Sequence, residues 1–256
     1  EIYNITIKFI KLYEDQSAKV EITRNDANLT NIISKPESLP TQGIEPWNKG
    51  GLWHNPNFSK QGLHIYPIKE QNRIVFAWMY WSRQNYEQRW AICDCTVDEL
   101  NVASGDLITI DQEGTTKIGS ASLVFNEDNT LAFYARSEDV LRWGTILQRL
   151  SEPSKHELEG WWGLGNRQGL FIHMIDDRLI AFFLTHDTGI KPWDREIKPQ
   201  WYELQGDRSN LDVYKYEGGM LGVATETTSN KIGTAQFHDD QTITILGNKY
   251  SMNKLA

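Results

Sequence analysis

The sequence predicts an all-β protein: two tandem antiparallel β-meander modules, each a barrel or a sandwich, preceded by a short strand-rich N-terminal segment. An internal repeat, apolar runs with the period of strands, and the lack of long stretches with helical periodicity all point to it. The repeat is the strongest of these. Lys117-Ile118-Gly119-Ser120-Ala121 returns as Lys231-Ile232-Gly233-Thr234-Ala235, and Phe125 to Leu131 returns as Phe237 to Ile243. Upstream, Gly51-Leu52-Trp53 matches Gly160-Trp161-Trp162, and Gln61-Gly62-Leu63-His64-Ile65 matches Gln168-Gly169-Leu170-Phe171-Ile172. The run Ile74 to Trp81 matches Leu179 to His186, and Arg89-Trp90 matches Gln200-Trp201. Order is preserved and the spacing between equivalents stays within 105 to 114 residues, as when insertions fall in loops.

Taken in chain order, residues 1–46 lie outside the repeat. Tyr3, Ile5, Ile7 and Phe9 alternate with mostly polar neighbours, and Lys19 to Thr23 can return as a second strand after the turn Glu14-Asp15-Gln16-Ser17. A lone hairpin is marginal in water, so this one is expected to dock on the first module or to belong to a truncated domain. Lys35 to Pro46, with three prolines, is expected to be a linker.

Residues 47–150 form the first copy and 158–256 the second, joined by the polar, proline-broken stretch Ser151 to Lys155. In the first copy Ile74, Phe76, Trp78 and Tyr80 alternate with Val75, Ala77, Met79 and Trp81, so both faces of that strand are apolar. Ile180 to Leu184 behaves likewise. Such a strand is buried on both sides or offers one side to a partner. Asn126 to Asn129 and His238 to Gln241 are polar hairpin turns. Ser137 to Leu141 is expected to form one short turn of helix capped by Ser137. Short strands at this spacing imply a sandwich or an up-and-down barrel.

Composition removes several function classes. The formal charge of −8 argues against a nucleic-acid binder, which needs a basic face. No apolar run approaches the roughly 18 residues of a membrane-spanning helix. Apolar content of 39% with 11% aromatics supports a packed core rather than disorder. The two cysteines, Cys93 and Cys95, share one face of a strand; they are either two small core residues or a bridge that needs local bending. The chain starts at Glu1 without an initiator Met or a leader, which suits a processed product or a piece cut from a longer chain, and permits export.

Gly51-Leu52-Trp53-His54-Asn55-Pro56, Gln61-Gly62-Leu63, Phe76-Ala77-Trp78-Met79-Tyr80, the lone Trp90, and Gly119-Ser120-Ala121-Ser122-Leu123-Val124-Phe125 together resemble a tandem Trp-rich β module of exported Gram-negative bacterial proteins. The second copy departs from that pattern, since Trp162-Gly163-Leu164 lacks the Asn-Pro and Thr185-His186 replaces the aromatic pair. The Gly-x-Trp opening also looks like that of avidin and lipocalin barrels, a likeness of fold alone. The resemblance implies export to the periplasm or the cell exterior and a β-rich fold, and no activity.

The repeat also sorts the ten tryptophans. Trp53 with Trp162, and Trp90 with Trp201, recur at equivalent places, as do Gly119 and Gly233; a residue the module needs twice is assigned a structural role. Trp47, Trp81, Trp143, Trp161 and Trp193 have no counterpart, and Trp78 faces only Phe183. These six are the candidate ligand contacts, because exposed indoles beside amides and carboxylates suit sugar rings and also anchor protein interfaces. His64 aligns with Phe171 and is assigned to packing. The six histidines show no metal-ligand spacing, and Glu127-Asp128 and Asp239-Asp240 lack the ladder of a calcium loop, so no metal or cofactor is expected. There is no Gly-x-Ser-x-Gly elbow and no phosphate-cradling loop. The expectation is a non-catalytic, exported recognition protein binding a glycan or envelope polymer. The alternatives are an assembly subunit whose Ile74–Trp81 face meets a protein partner, and a barrel holding a small apolar ligand.

Overall fold

A computed structural model describes residues 5–12, 18–24, 42–58, 60–82, 86–110, 114–137, 141–152, 154, 156–165, 167–175, 178–187, 198–222 and 225–255. It divides into two compact units, residues 1–35 and 36–256. In the first unit β1 (Ile5–Leu12) and β2 (Ala18–Arg24) form an antiparallel hairpin with an irregularity between Phe9 and Lys11. Tyr3 lies outside the described residues.

The second unit is all-β and holds both copies. The first is a closed eight-stranded barrel: β3 (Gly51–His54), β4 (Gly62–Ile68), β5 (Arg73–Trp81), β6 (Gln88–Val97), β7 (Val102–Ile110), β8 (Thr115–Phe125), β9 (Thr130–Ser137) and β10 (Leu141–Ser151), with β10 returning to pair β3. Closure leaves no sheet edge exposed. The second copy runs β11 (Gly160–Gly165), β12 (Gln168–Ile175), β13 (Arg178–Asp187), β14 (Lys198–Asp207), β15 (Asn210–Glu217), β16 (Thr228–His238), β17 (Thr242–Ile245), β18 (Asn248–Ser251) and β19 (Asn253–Lys254). Its terminal strands β18 and β19 are separated only by Met252, and while β18 pairs β17, β19 pairs β11. The ends of this sheet therefore meet as well, and the module is barrel-like. Among the described residues no helix is long and apolar enough to cross a membrane.

The repeated residues do the same work in both copies. Trp53 Nε1 donates to the Lys49 carbonyl at 3.0 Å, and Trp162 Nε1 to the Leu158 carbonyl at 2.7 Å, each four residues back. The Lys-Ile-Gly motif carries a β-bulge in both: Leu107 opposes Gly119 but Ile108 opposes Lys117, and Val213 opposes Gly233 but Tyr214 opposes Lys231. The bulge leaves the motif lysine beside an aspartate on the neighbouring strand, Lys117 to Asp106 at 2.8 Å and Lys231 to Asp212 at 2.6 Å. Asn129 and Gln241 take left-handed backbone in the matching hairpin turns, where Asp128 and Asp240 accept from Thr130 and Thr242.

The helical turn expected over Ser137 to Leu141 falls on residues 138–140, which lie outside the described residues; Ser137 ends β9 and Leu141 begins β10. The expected linker is seated at its far end, because Gly43 N donates to the Leu100 carbonyl at 2.8 Å and Ile44 N to that of Phe125 at 3.0 Å. Cys93 and Cys95 are free, buried thiols with their sulfurs 3.0 Å apart, and Gly105 opposite them leaves the room they occupy.

The first barrel's interior is filled from one face of β5. Phe76 and Trp78 meet Phe133 edge-on, and Trp78 stacks on Tyr80 with ring centres 4.0 Å apart. The second barrel has a smaller aliphatic core that includes Leu170, Ile172, Leu204, Val213 and Ile245. The opposite face of β5 points out of the first barrel, and covering it positions the candidate sites.

Candidate functional site

The two barrels pack flank to flank. The outward residues of β4 to β6, among them His64, Met79, Trp81 and Trp90, face outward residues of β11 to β14, among them Trp161, Phe171, Phe182 and Trp201, and one continuous buried cluster spans the seam. Polar side chains fix the register. Trp90 Nε1 donates to the Thr185 carbonyl at 3.0 Å, and Trp161 Nε1 donates to His64 Nδ1 at 2.9 Å. Burial first, and the neighbouring His173 second, pull His64 down to about 3 against the opposing pull of Glu159, which keeps the ring neutral and able to accept that bond.

The loop after β15 closes one end of the seam. Gln61 Nε2 donates to the Met220 carbonyl at 2.9 Å, its Oε1 accepts from Gly222 N at 3.2 Å, and Leu221 is buried in the shared cluster. Gly219 lies flat on Trp81: a Cβ there would fall 1.8 Å from Cε2 of the indole. Gly222, in left-handed backbone, sits closely over Trp143.

Two clefts open along the seam. The larger, about 350 Å³, is mostly apolar, with Phe58, Met79, Leu150, Ile180, Phe182 and Trp201 in its walls. Its charged groups are a pair, Lys60 Nζ to Glu203 Oε2 at 2.9 Å, with Lys60 also 4.3 Å above the Tyr216 ring. The smaller, about 220 Å³, is amide- and charge-rich: Gln88, Arg89 and Glu87 from the first barrel face Gln200, Lys215 and Glu217 from the second, with Trp81, Tyr86 and Tyr216 as aromatic walls. Gln200 Nε2 reaches Gln88 Oε1 at 3.5 Å, while the Gln88 amide nitrogen and Trp81 Nε1 are buried without a partner among the described residues. Burial and the Glu203 carboxylate push the Tyr216 phenol up, so it stays a neutral hydroxyl.

These positions correct the expectation that the unpaired tryptophans are exposed. Trp78 is wholly buried inside the first barrel, and Trp81 and Trp161 are buried in the seam. Trp143 is half-buried and stacks on Trp78 with centres 5.5 Å apart, and Trp47 packs half-buried against the first barrel's cluster. Trp193 lies outside the described residues. Trp78 and Trp143 stack within the first barrel's own ring cluster. For Trp81 and Trp161 the physical reason is the second copy itself: an apolar strand face that needs cover finds it within the chain. The same fact removes that face from an external partner. Of the described candidates, only Trp81 lines the polar cleft. Of the residues assigned structural roles, Trp53, Trp90 and Trp201 are fully buried and Trp162 is partly so.

Sequence reasoning missed one polar cluster across the seam. Ser151 Oγ contacts His173 Nε2, whose Nδ1 lies 2.9 Å from Glu159 Oε1, and Glu159 Oε2 accepts from the Ser154 backbone and hydroxyl. Burial pushes the Glu159 carboxyl up, but His173 and Ser154 outweigh it and hold it below the usual range. The order serine, histidine, carboxylate matches that of nucleophilic hydrolases. Here, however, His173 is wholly buried and Ser151 lines neither cleft, so the cluster ties the inter-barrel segment to the seam. Among the described residues no group of three or more His, Cys, Asp or Glu is placed to hold a metal ion. Gln88 and Gln200 were also missed, because their 112-residue separation hides the meeting.

No protein-family model matches the chain, and neither a curated protein nor a solved structure matches it. The class that fold and site define is therefore a structural one: a tandem pair of antiparallel β modules joined along their flanks by an aromatic seam.

Proposed function

We propose that this protein is a non-catalytic recognition protein that holds a glycan in the polar cleft beside Trp81. One observation carries the reading: Gln88 and Trp81, whose buried donors Nε2 and Nε1 have no partner among the described residues, line a cleft that mixes amides, aromatic rings and charges of both signs. A sugar presents hydroxyls that donate and accept, and a C–H face that rests on an aromatic ring. A buried donor left unpaired costs about 1–3 kcal/mol, which a hydroxyl oxygen or water would recover. Arg89 with Glu87 and Lys215 with Glu217 leave the cleft without an excess of either charge, which favours a neutral hydroxylated ligand over an anion. The likeness of the modules to those of exported proteins supports placing the protein in the periplasm or outside the cell.

The test is calorimetric titration with a panel of soluble glycans and peptidoglycan fragments. Tyr86 is 52% exposed, so Tyr86→Ala should leave the melting temperature in place. It should weaken any saturable binding at least about tenfold, the loss of roughly 1.4 kcal/mol. No saturable binding across the panel, or binding indifferent to Tyr86→Ala and Gln88→Ala, overturns the proposal.

A further inference from the structure

The larger cleft carries an inference independent of the glycan reading, since none of the residues lining it lines the polar cleft, although its Lys60 lies over Tyr216 of that cleft. Its walls join the two barrels: Met79 and Phe58 come from the first, Ile180 and Phe182 from the second. Leu150 at its border is 50% exposed, a large apolar side chain left to solvent beside other apolar walls. A volume of about 350 Å³ falls within the range of small-molecule sites, roughly 300–1,000 Å³. The charges within it cancel, because Lys60 and Glu203 are paired and Glu203 also accepts from Gln205. The one other titratable side chain lining it is His54, which burial holds below the usual histidine range, so it is an uncharged donor or acceptor near neutral pH.

We propose that this inter-barrel cleft is a second binding site, for a neutral, mostly apolar ring compound bearing one hydroxyl or carbonyl that bonds to His54. Apolar walls supply the contact area, and a single polar group fixes orientation. An ionised ligand would bring a charge the cleft has nothing free to pair, and burying an unpaired charge is costly. A long polymer does not suit a pocket of this size.

The experiment is a matched series on the intact chain: 2-naphthol, 2-naphthoate and the 2-naphthyl trimethylammonium cation, followed by calorimetry and ligand-observed NMR. 2-Naphthol is expected to bind saturably with Kd below about 1 mM, and both ions at least about tenfold more weakly. Ile180→Glu, which places a charge in a half-buried wall, should abolish 2-naphthol binding with the melting curve retained. His54→Ala should weaken 2-naphthol but leave naphthalene unchanged, and Tyr86→Ala should affect neither. Failure of 2-naphthol to bind, equal binding of all three probes, or indifference to both cleft variants overturns the proposal. Any of these outcomes leaves the glycan reading standing, and loss of glycan binding alone leaves this one standing.

Discussion

Trp161 Nε1 donates to His64 Nδ1 at 2.9 Å, so an indole at the opening of the second barrel and an imidazole on the outside of the first define the seam between them. The bond works in one protonation state only. Nδ1 must be bare to accept, which places the ring proton on Nε2, a buried atom without a partner among the described residues.

Stability should therefore fall in acid through His64. Its folded value is pulled down to about 3 from an ordinary 6.5, so the folded state binds fewer protons than the unfolded chain between those values. Stability from this group is whole above about pH 6.5 and drains away as pH falls towards 3, with a slope of at most about 1.4 kcal/mol per pH unit. Glu159, also held down, adds a loss of the same sign below the ordinary carboxylate range. His64→Phe, which installs the ring found at the equivalent Phe171, should flatten the urea midpoint between pH 6 and 4.5. A slope unchanged in that variant would place the acid sensitivity elsewhere.

Trp90 should be the tryptophan whose loss most weakens the seam. It is 1% exposed, donates across the seam to Thr185 and lies 5.7 Å from the His186 ring. Trp90→Phe keeps an aromatic ring and loses the bond, for an expected cost of about 1–2 kcal/mol. Trp90→Ala also opens a cavity, and about 3–5 kcal/mol is expected in urea unfolding. Equal costs for the two variants would show that the hydrogen bond, not the packing, carries the contact.

Much of the fold was legible because the chain states it twice. Lys117-Ile118-Gly119 and Lys231-Ile232-Gly233 marked the bulges, and Trp53 and Trp162 marked the two starts. β5 also disclosed that it is buried on both faces. What it could not disclose is the identity of its cover: apolar periodicity reports that Met79 and Trp81 leave water, not that Phe182 and Trp201 replace the water. Hence Trp81 and Trp161 looked like surface residues when they are the asymmetric part of an interface between copies that must differ in order to pack on each other. Trp78 and Trp143 belong instead to the first barrel's own ring cluster. The clefts were illegible for the same reason, since each is assembled from strands about a hundred residues apart, such as those bearing Gln88 and Gln200.

Gly219 should tolerate no side chain while Trp81 remains. Its virtual Cβ falls 1.8 Å from Cε2 and 2.2 Å from Nε1 of a ring that is 1% exposed. Gly219→Ala should displace the loop, expose Trp81 and shift its emission to the red, at a cost of at least about 2 kcal/mol. Combined with Trp81→Leu, the cost of the alanine should largely vanish, a coupling that double-mutant unfolding measures directly. Additive costs would mean that the loop and the indole are not in the contact described.

The matched glycines of the repeat should prove unequal. A Cβ on Gly119 would lie 1.9 Å from the Arg136 carbonyl oxygen, a backbone atom held in the β8–β9 ladder. A Cβ on Gly233 would meet only the Leu246 side chain, with Cδ2 nearest at 2.6 Å, and Leu246 is 37% exposed with a side chain free to turn away. The motif is the same, yet one glycine is required by a closed barrel wall and the other faces a yielding neighbour. Gly119→Ala should then cost at least about 3 kcal/mol, as overpacking against immobile atoms does, and Gly233→Ala about 1 kcal/mol or less. Urea midpoints of the two single variants decide it, and similar losses would mean that the glycines serve the bulge itself rather than the space beside it.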